Sequence, residues 1–399
     1  MDGRPPVPSP LSIIAMNATT IYLDHNATTA LDPRVLEAMA PHFLAAGNAE
    51  SRHSAGRRAR RAFEEATETV AEILHARPDE VVFTSGGTEA NNLAVFGLAV
   101  DESAPPGRVA TTAIEHPAVN GMVAHLEARG YVADVAPVDA EGIVDVDRMA
   151  ASFYERTRLA TAMLANNETG AIQPVARLAD LAAARGIPVH TDAVQAVGRI
   201  PVDFAALGVA TLAASGHKFH GPPGSGVLLV RRGVRLTPRL FGGGQQQGRR
   251  PGTIAVPLAV GFATALDLWR REYRSRTETW RRLAARLIDG LRRTVGADRI
   301  VLNGPADPSR RLPQTVNLGF LRIEGDALLM QLDLAGVAVS LGSACASGST
   351  QPSPTLVAMG VPADCLRSSV RFSFGAFTTD DDVDRAVAHL AAAVAWLSR

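Results

Sequence analysis

The chain has 399 residues, and its 40 basic side chains balance its 40 acidic ones, so the formal net charge at pH 7 is zero. A neutral chain has no overall field that would attract nucleic acid or an anionic membrane. Apolar residues make up 46% of the sequence and charged residues 20%, which excludes a disordered or fibrous protein. Lys218 is the only lysine, and every other basic residue is an arginine. We attribute the arginine excess to GC-rich coding, and the single lysine needs its own explanation.

The first residues and the cysteine content bear on where the protein works. Residues 1–17 are rich in proline and contain no long apolar stretch, so we predict a disordered leader rather than a signal peptide. No window reaches the roughly 18 apolar residues of a membrane helix. Cys345 and Cys365 are the only cysteines, which is too few for a disulfide framework or a zinc cluster. We therefore predict a cytoplasmic protein without an intrinsic metal site.

Short apolar runs alternate with amphipathic runs in the first part of the chain. The runs typical of buried strands are Val81–Thr84, Arg108–Thr112, Val132–Val138, Leu159–Leu164, Pro188–Asp192, Thr211–Ser215 and Gly226–Val230. Helical patterns lie between them, for example at Arg57–His75, Thr88–Val100, Ala118–Arg129 and Val175–Arg185. This alternation predicts an α/β fold with a mostly parallel, seven-stranded sheet that is covered on both faces. Ligand-binding residues should then lie at the carboxyl ends of the strands.

The pattern changes after about Pro257, where a long helical stretch begins that runs to about Gly296. The elements predicted beyond it are strands at Gln314–Leu318, Val337–Ser340 and Ser369–Ser373 and helices at Gly325–Leu334 and Thr379–Leu397. We predict a large domain over residues 33–257 and a smaller C-terminal α+β domain over residues 258–399. Residues 18–32 form an N-terminal segment that joins the small domain.

A glycine-rich turn joins the first predicted strand to the helix after it, in the sequence FTSGGTEA at Phe83–Ala90. The glycines permit a tight turn, and the start of the helix offers backbone N–H groups to an anion. The turn lacks both the Gly-Lys-Ser/Thr of a Walker sequence and the spacing of the dinucleotide-binding fingerprint. It is therefore either an ordinary turn or a phosphate cradle.

Two further residues follow the ends of predicted strands. Asp192 either caps a following helix or pairs with a protonated ring nitrogen. Lys218 precedes a loop rich in glycine and proline, and its primary amine can form a Schiff base that a guanidinium cannot form. An anion cradle, a strand-end aspartate and a reactive lysine are together the parts of a pyridoxal phosphate site. We therefore predict that the protein binds this cofactor.

Several longer motifs extend this pattern over nearly the whole chain. They are YLDHNATT at Tyr22–Thr29, TSGGTE at Thr84–Glu89, Glu115-His116, NNETG at Asn166–Gly170, DAVQ at Asp192–Gln195, SGHK at Ser215–Lys218, GSAC at Gly342–Cys345 and VRFS at Val370–Ser373. In this combination the chain resembles the cysteine desulfurases of the NifS/IscS type, which belong to the class V aminotransferase group of fold-type I pyridoxal phosphate enzymes. The resemblance implies that the large domain binds the cofactor and that the small domain carries a catalytic cysteine loop.

The resemblance also implies roles for residues around the cofactor. Lys218 would hold the cofactor covalently and later move protons, and Asp192 would keep the ring nitrogen protonated. His116 would stack on the ring face and assist acid–base steps, and Gln195 would contact the ring hydroxyl. The residues implied to bind the phosphate are Gly87, Thr88, Ser215, His217 and, in a homodimer, Thr253 of the partner subunit. Those implied to orient the amino acid are Asn167, which also contacts the cofactor, and Arg371, which pairs with the carboxylate.

Cys345 determines the reaction that the resemblance implies. Its neighbours are small and polar, so we predict a mobile, exposed thiol, whereas we interpret Cys365 as core packing. Attack of the Cys345 thiolate on the sulfur of bound L-cysteine would give L-alanine and a Cys345 persulfide. Cys345 could also ligate a transient iron–sulfur cluster shared with a partner.

The persulfide sulfur would pass to an acceptor protein for iron–sulfur assembly, tRNA thiolation or DNA phosphorothioation. In overall impression the chain is similar to the DndA-type desulfurases of DNA phosphorothioation, which would serve DNA through a partner protein. Two alternatives stay open. One is a selenocysteine lyase or a class V aminotransferase that acts without a cysteine nucleophile, and the other is a catalytically silent docking protein. Gln246 departs from the family, which frequently has a glutamate at that position.

Overall fold

The computed structural model describes residues 20–341 and 352–399. The strands within these residues are β1 (Ile21–Tyr22), β2 (Val81–Thr84), β3 (Arg108–Thr112), β4 (Val132–Ala136), β5 (Thr157–Thr161), β6 (Val189–Asp192), β7 (Thr211–Ser215), β8 (Gly226–Val230), β9 (Ile300–Leu302), β10 (Thr315–Phe320), β11 (Val337–Ala338) and β12 (Ser369–Ser373). The predicted leader over residues 1–17 and Cys345 with its flanking residues lie outside the described residues.

The helices lie between the strands along the chain. In the same two described ranges they are α1 (Pro33–Leu44), α2 (Ser54–Ile73), α3 (Gly87–Ala99), α4 (Pro117–Glu127), α5 (Val146–Ala151), α6 (Val175–Ala183), α7 (Phe204–Leu207), α8 (Val256–Val295), α9 (Gly325–Leu334), α10 (Pro354–Ala358), α11 (Ala363–Leu366) and α12 (Asp380–Leu397). No helix of the described residues is both long enough and apolar enough to cross a membrane.

The central sheet has seven strands in the order β2-β8-β7-β6-β5-β3-β4. Strand β8 runs antiparallel to both of its neighbours, and the other four pairs are parallel. Strands β2, β6, β7 and β8 are buried along their whole length, as expected for a sheet that is covered on both faces. The predicted mostly parallel seven-stranded sheet is confirmed.

Some predicted boundaries shift by a few residues. Strand β5 begins at Thr157 and ends at Thr161, earlier than the apolar run Leu159–Leu164 indicates. The end of that run still lies along β6, because Leu164 N donates to Asp192 O at 2.8 Å. The chain thus stays beside β6 beyond the end of β5, and the residues that follow Leu164 line the cavity described below.

A second core lies beside the sheet and contains the C-terminal elements. Strands β12, β10 and β9 form an antiparallel sheet in that order, and β1 pairs in parallel with β11. Ile21 and Leu23 from the N-terminal segment are buried in this second core. The apolar pattern does not predict β1, α1 or β9.

The 40-residue helix α8 belongs to both cores. Its first part, up to Trp269, packs against the large sheet, and its later part, from Trp280 to Leu291, packs in the second core. The predicted domain boundary at residues 257 and 258 therefore falls at the start of a helix that both cores share. The division into domains stays a prediction.

Candidate active site

A cavity of about 470 Å³ lies where the strands of the central sheet end, between that sheet and β12. The predicted site residues that line it are Gly87, Thr88, His116, Asn167, Asp192, Gln195, Ser215, His217, Lys218 and Arg371. They come from the turns after five different strands and from the second core, as the carboxyl ends of parallel strands allow. Sequence positions that are far apart are thus brought together in one concave site.

The glycine-rich turn forms one end of the cavity. Gly86 has a φ of 156°, and helix α3 begins immediately after it without a side-chain cap. A Cβ atom at Gly87 would come within 2.6 Å of Val194 Cγ2, so only glycine fits there. The first turn of α3 therefore presents backbone N–H groups that have no helical acceptor, next to Ser215 and His217.

His217 and Ser215 complete this end of the cavity. The His217 ring lies 3.1 Å from Thr28 Oγ1 through Nδ1. Burial and the nearby Lys218 lower the pKa of His217 to about 4, so its ring is neutral at physiological pH. Ser215 is buried at the end of β7. An anion at this position would meet hydrogen-bond donors and a helix N-terminus.

Asp192 is buried at the end of β6 and uses both of its oxygens. Oδ1 accepts from Val194 N at 2.9 Å, and Oδ2 accepts from Asn91 Nδ2 at 2.6 Å. The bond to Val194 closes a turn, and the next helix, α7, begins only at Phe204. The interpretation of Asp192 as a helix cap is therefore wrong. Asn91 was not predicted, although a polar residue one turn after Gly87 among Ala90, Leu93 and Ala94 is a signal that could have identified it.

Lys218 ends a short 3-10 turn that follows β7. Its Nζ donates to the backbone oxygens of Asn26 at 2.6 Å and Ala27 at 2.8 Å. Asn26 lines the cavity, and its Nδ2 donates to Thr315 Oγ1 at 2.9 Å and Asn167 O at 3.1 Å. The sequence motif around Asn26 supports the family resemblance, but no role follows from it for Asn26 itself. The structure makes Asn26 the residue that connects the lysine to the opposite wall.

Arg371 brings strand β12 of the second core to the cavity. Its side chain is only 2% exposed, and Nη2 forms an ion pair with Asp24 Oδ1 at 2.6 Å. Nη1 donates to Asn167 O at 3.1 Å. Within the described residues, Arg371 Nε has no hydrogen-bond partner, and the same is true of Gln195 Oε1 and Asn26 Oδ1. The three residues line the cavity, and buried polar atoms without a partner call for an explanation such as a ligand.

His116 caps helix α4, since its Nδ1 accepts from Ala118 N at 3.1 Å. The residue before it, Glu115, is buried in the cavity wall and was not assigned a role from the sequence. Burial raises the pKa of Glu115 to about 7, and the charge of Asp192 adds to this effect, against the hydrogen bonds that Thr112 and Met163 donate. In the sequence, Glu115 could have been identified as a candidate site residue because it lies next to His116 in a predicted strand-to-helix loop.

Glu168 is a second buried carboxyl group of the cavity wall. Ser353, which caps helix α10, donates to Glu168 Oε2 at 2.6 Å. Burial raises the pKa of Glu168, although Ser353 and Arg371 act in the opposite direction. Glu168 thereby attaches the start of α10 to the wall of the cavity.

Among the predicted site residues that the structure describes, Thr253 does not line this cavity. Thr253 is exposed in the segment before α8. Cys345 lies outside the described residues. Cys365 is fully buried, as predicted for core packing, and burial raises the pKa of its thiol. No group of three or more metal-ligating side chains occurs in residues 20–341 or 352–399.

The chain is similar to known proteins over most of its length. The family model described as aminotransferase class-V matches residues 21–386. An IscS-like cysteine desulfurase of Mycobacterium tuberculosis is 44% identical over 384 residues, which cover 95% of this chain and 97% of the relative.

Solved structures give a similar result. A NifS-like protein superposes with a TM-score of 0.87 at 33% identity, covering 95% of this chain and all of that one. DndA from Streptomyces lividans superposes with a TM-score of 0.71 at 37% identity, covering 87% of this chain and 97% of that one.

Proposed function

The chain belongs to the aminotransferase class-V family, and we propose that it is a pyridoxal phosphate-dependent cysteine desulfurase. The family resemblance drawn from the sequence motifs is thereby confirmed. The observation that carries the proposal is the meeting of three distant features in one cavity, namely the start of α3, Asp192 and the single lysine, Lys218. Relatives that share 44% identity over nearly the whole chain are cysteine desulfurases by name.

The residues of the cavity fit the cofactor. The first turn of α3, with Ser215 and His217, would hold the phosphate, since its backbone N–H groups without helical acceptors lie at the end of the cavity that these two residues line. Gln195 Oε1 is buried without a partner among the described residues and can accept from the ring hydroxyl. Asp192 would accept from the protonated ring nitrogen. When bound, pyridoxal phosphate supplies an aldehyde for the amine of Lys218 and a ring that withdraws electrons from the substrate.

The remaining residues would orient the substrate and move its protons. Arg371 Nε and Asn26 Oδ1 are buried polar atoms that have no partner among the described residues, and they suit the carboxylate and the amine of an amino acid. Asp24 and Asn167 hold the Arg371 guanidinium in place. Lys218 and His116 would carry protons to and from the substrate carbon.

The sulfur chemistry is assigned to Cys345. Its thiolate would attack the sulfur of L-cysteine, so that an S–S bond forms while the Cβ–S bond of the substrate breaks. The substrate carbon takes up a proton and leaves as L-alanine, and the enzyme keeps the sulfur as a persulfide. No external oxidant or reductant is required. The persulfide then passes its terminal sulfur to an acceptor protein.

The segment between β8 and α8 carries Thr253 and exposed apolar side chains. Thr253 is exposed, and Leu240 and Phe241 of the same segment are 41% and 86% accessible. We assign this surface to a homodimer in which Thr253 of the partner subunit reaches the phosphate. Similarity to DndA supports DNA phosphorothioation as the destination of the sulfur, while iron–sulfur assembly and tRNA thiolation are the other candidates.

The experiment compares the protein with its Cys345→Ala and Lys218→Ala variants. With L-cysteine, the unmodified protein should release equal amounts of alanine and persulfide sulfur. Cys345→Ala should keep the yellow cofactor and lose sulfur release, and Lys218→Ala should lose both. Full sulfur release by Cys345→Ala would instead support an activity without a cysteine nucleophile, such as that of a selenocysteine lyase. A colourless unmodified protein would support a silent docking role.

A further inference from the structure

Behind Asp192 a chain of hydrogen bonds runs away from the cavity through three buried polar residues. Asn91 on α3 donates from Nδ2 to Asp192 Oδ2 at 2.6 Å. Asn91 Oδ1 lies 3.0 Å from His190 Nε2, and His190 Nδ1 lies 2.9 Å from Thr211 Oγ1. His190 and Thr211 are paired residues of the neighbouring strands β6 and β7, and both are fully buried.

The charge on Asp192 determines which group donates and which accepts in each of these hydrogen bonds. An ionised carboxylate only accepts, so the Asn91 amide must turn its NH₂ group toward Asp192. Asn91 Oδ1 then needs a donor, which fixes the proton of His190 on Nε2. His190 Nδ1 in turn needs a donor, which is the hydroxyl of Thr211. The reverse direction would place the oxygens of Asn91 and Asp192 against each other, unless Asp192 were protonated.

The His190 ring is suited to this task because it is neutral. Burial lowers the pKa of His190 to about 3, so at physiological pH the ring offers one donor and one acceptor.

We propose that Asn91, His190 and Thr211 form a positioning relay that keeps Asp192 ionised and oriented toward the ring nitrogen of the cofactor. The proposal rests on the proposed function, since it concerns the proton shared between Asp192 and that nitrogen. By stabilising the carboxylate, the relay keeps the proton on nitrogen, where it increases the electron demand of the ring. The three residues position Asp192 and do not themselves touch the substrate.

The other groups around Asp192 make such a relay necessary. The titratable or charged residues that face it from the surrounding elements are Glu115, His116, His190, His217 and Lys218. Of these, the Glu115 carboxyl is coupled to Asp192, whose charge raises the pKa of Glu115. The amide of Asn91, a residue that also lines the cavity, donates to Asp192 Oδ2.

The test measures the protonation of the cofactor directly. Asn91→Leu, His190→Phe and Thr211→Val proteins are loaded with pyridoxal phosphate labelled with nitrogen-15 in the ring, and the ring nitrogen is followed by NMR as the pH rises. Loss of the hydrogen bond to the charged Asp192 should lower the proton affinity of that nitrogen about 10- to 100-fold in Asn91→Leu. His190→Phe removes a hydrogen bond between neutral groups and should lower this affinity about 2- to 10-fold. Thr211→Val removes a neutral hydrogen bond and should lower it about 2- to 10-fold.

Two controls separate positioning from a general loss of packing. Thr211→Ser keeps the hydroxyl and should restore the behaviour of the unmodified protein. Thr161→Val makes the same change on the neighbouring strand β5, at a fully buried residue that pairs with His190. The Thr161 hydroxyl has no hydrogen-bond partner in the described ranges, so this variant should leave the nitrogen protonated. Melting temperatures of the cofactor-free variants report folding.

The outcomes distinguish this proposal from the proposed function. A ring nitrogen that stays as protonated in Asn91→Leu and His190→Phe as in the unmodified protein would overturn the relay. If those two variants do not fold, equal behaviour of Thr211→Val and Thr211→Ser would overturn it as well. Failure of the unmodified protein to bind the cofactor would overturn the proposed function instead.

Discussion

His116 caps helix α4 and also lines the cavity, so a substitution that removes its side chain affects both roles at once. Its Nδ1 accepts from Ala118 N and caps helix α4, so in the neutral ring the proton must lie on Nε2. Its ring lines the cavity and is available for acid–base work. Removal of the side chain would therefore destabilise α4 and impair chemistry together.

Asparagine separates these tasks, because it is also a favourable N-cap. We expect His116→Asn to keep the melting temperature and to lower the rate of alanine formation about 100-fold or more, in the range of acid–base catalysis. His116→Ala should show the same loss of rate and, in addition, a loss of about 1 kcal/mol in stability. Equal stabilities of the two variants would contradict the capping role.

Glu115 should make the cofactor-free protein less stable as the pH rises. Its pKa is raised to about 7 by burial, and its Oε2 has no partner in the parts of the chain that the structure describes. An acid whose folded pKa lies above its unfolded value is destabilising when ionised, so the cost grows from about pH 4.5 and levels off near pH 7.

Glu115→Gln removes this charge and keeps an oxygen for Thr112 and Met163. We expect the variant to gain stability over the unmodified protein between pH 5 and pH 7, by at most about 3 kcal/mol. Denaturant unfolding at several pH values measures the difference. Parallel stability curves for the two proteins would show that Glu115 is not a buried acid of this kind.

At the scale of elements, the strands that could be predicted from the sequence are apolar strands that are buried along their length. Strands such as Thr211–Ser215 and Gly226–Val230 are buried along their whole length, and their composition indicates this. Strand β1 could not be predicted, since its two residues are held by pairing with Val337 and Ala338 at the other end of the chain. Contacts between residues that are far apart in the sequence also limit the prediction of the site.

The site residues that belong to sequence motifs could be predicted from the sequence. The residues that hold them in place through hydrogen bonds could not. Lys218 and Asp192 stand out by their chemistry and position, Arg371 follows from the family resemblance, and all three line the cavity. Asn91 and His190 act through contacts between a helix and two strands, and no spacing in the sequence indicates that they meet. Their recognition required the packing of α3 on the sheet.

The segment before α8 is attached to the sheet by one side chain. Gln246 accepts from Phe83 N at 2.6 Å through Oε1 and donates from Nε2 to Phe83 O at 2.9 Å. Because β2 is an edge strand, these backbone groups have no neighbouring strand on that side. The amide of Gln246 takes the place of a strand and fixes the segment that carries Thr253.

A glutamate at this position, which is frequent in the family, can accept from Phe83 N but cannot donate to Phe83 O. We expect Gln246→Glu to lower the stability by about 1 to 3 kcal/mol, because a partly buried carbonyl loses its donor and faces an acceptor. Gln247→Glu, at the exposed neighbouring residue, loses only a long, exposed hydrogen bond of 3.5 Å to Asp79 O and should change the stability by less than about 0.5 kcal/mol. Thermal unfolding measures both, and equal effects would contradict the proposed attachment.

At the scale of the molecule, neutral histidines and one buried arginine hold the two cores together. His220 donates from Nδ1 to Ala30 O at 2.8 Å and accepts from Ala376 N at 3.0 Å through Nε2. Arg199 is fully buried, lies over the ring of Trp280 at 5.2 Å and donates to His25 O at 3.3 Å. A positive charge is thus already present where the N-terminal segment, the large sheet and β12 meet.

This arrangement predicts acid sensitivity of the whole fold. Burial lowers the pKa of His25 well below its usual value and that of His190 and His220 to about 3, and Arg199 reinforces the effect on His25 and His220. A base whose folded pKa is lowered contributes stability that is present above its unfolded pKa, about 6.5, and is lost as the pH falls below it. His217, whose pKa is lowered to about 4, is a fourth such group, and the four together give a slope of about 5 kcal/mol per pH unit near pH 5, less the opposite contribution of Glu115.

Denaturant unfolding of the cofactor-free protein between pH 7 and pH 5 measures this slope. His220→Gln should reduce it by about 1.4 kcal/mol per pH unit, since one proton fewer is taken up on unfolding. The slope is the informative quantity, because lost packing shifts the whole curve without changing the number of protons. A slope that is the same in His220→Gln and in the unmodified protein would mean that His220 is protonated in the folded state, and the neutral contact between the two cores would then be wrong.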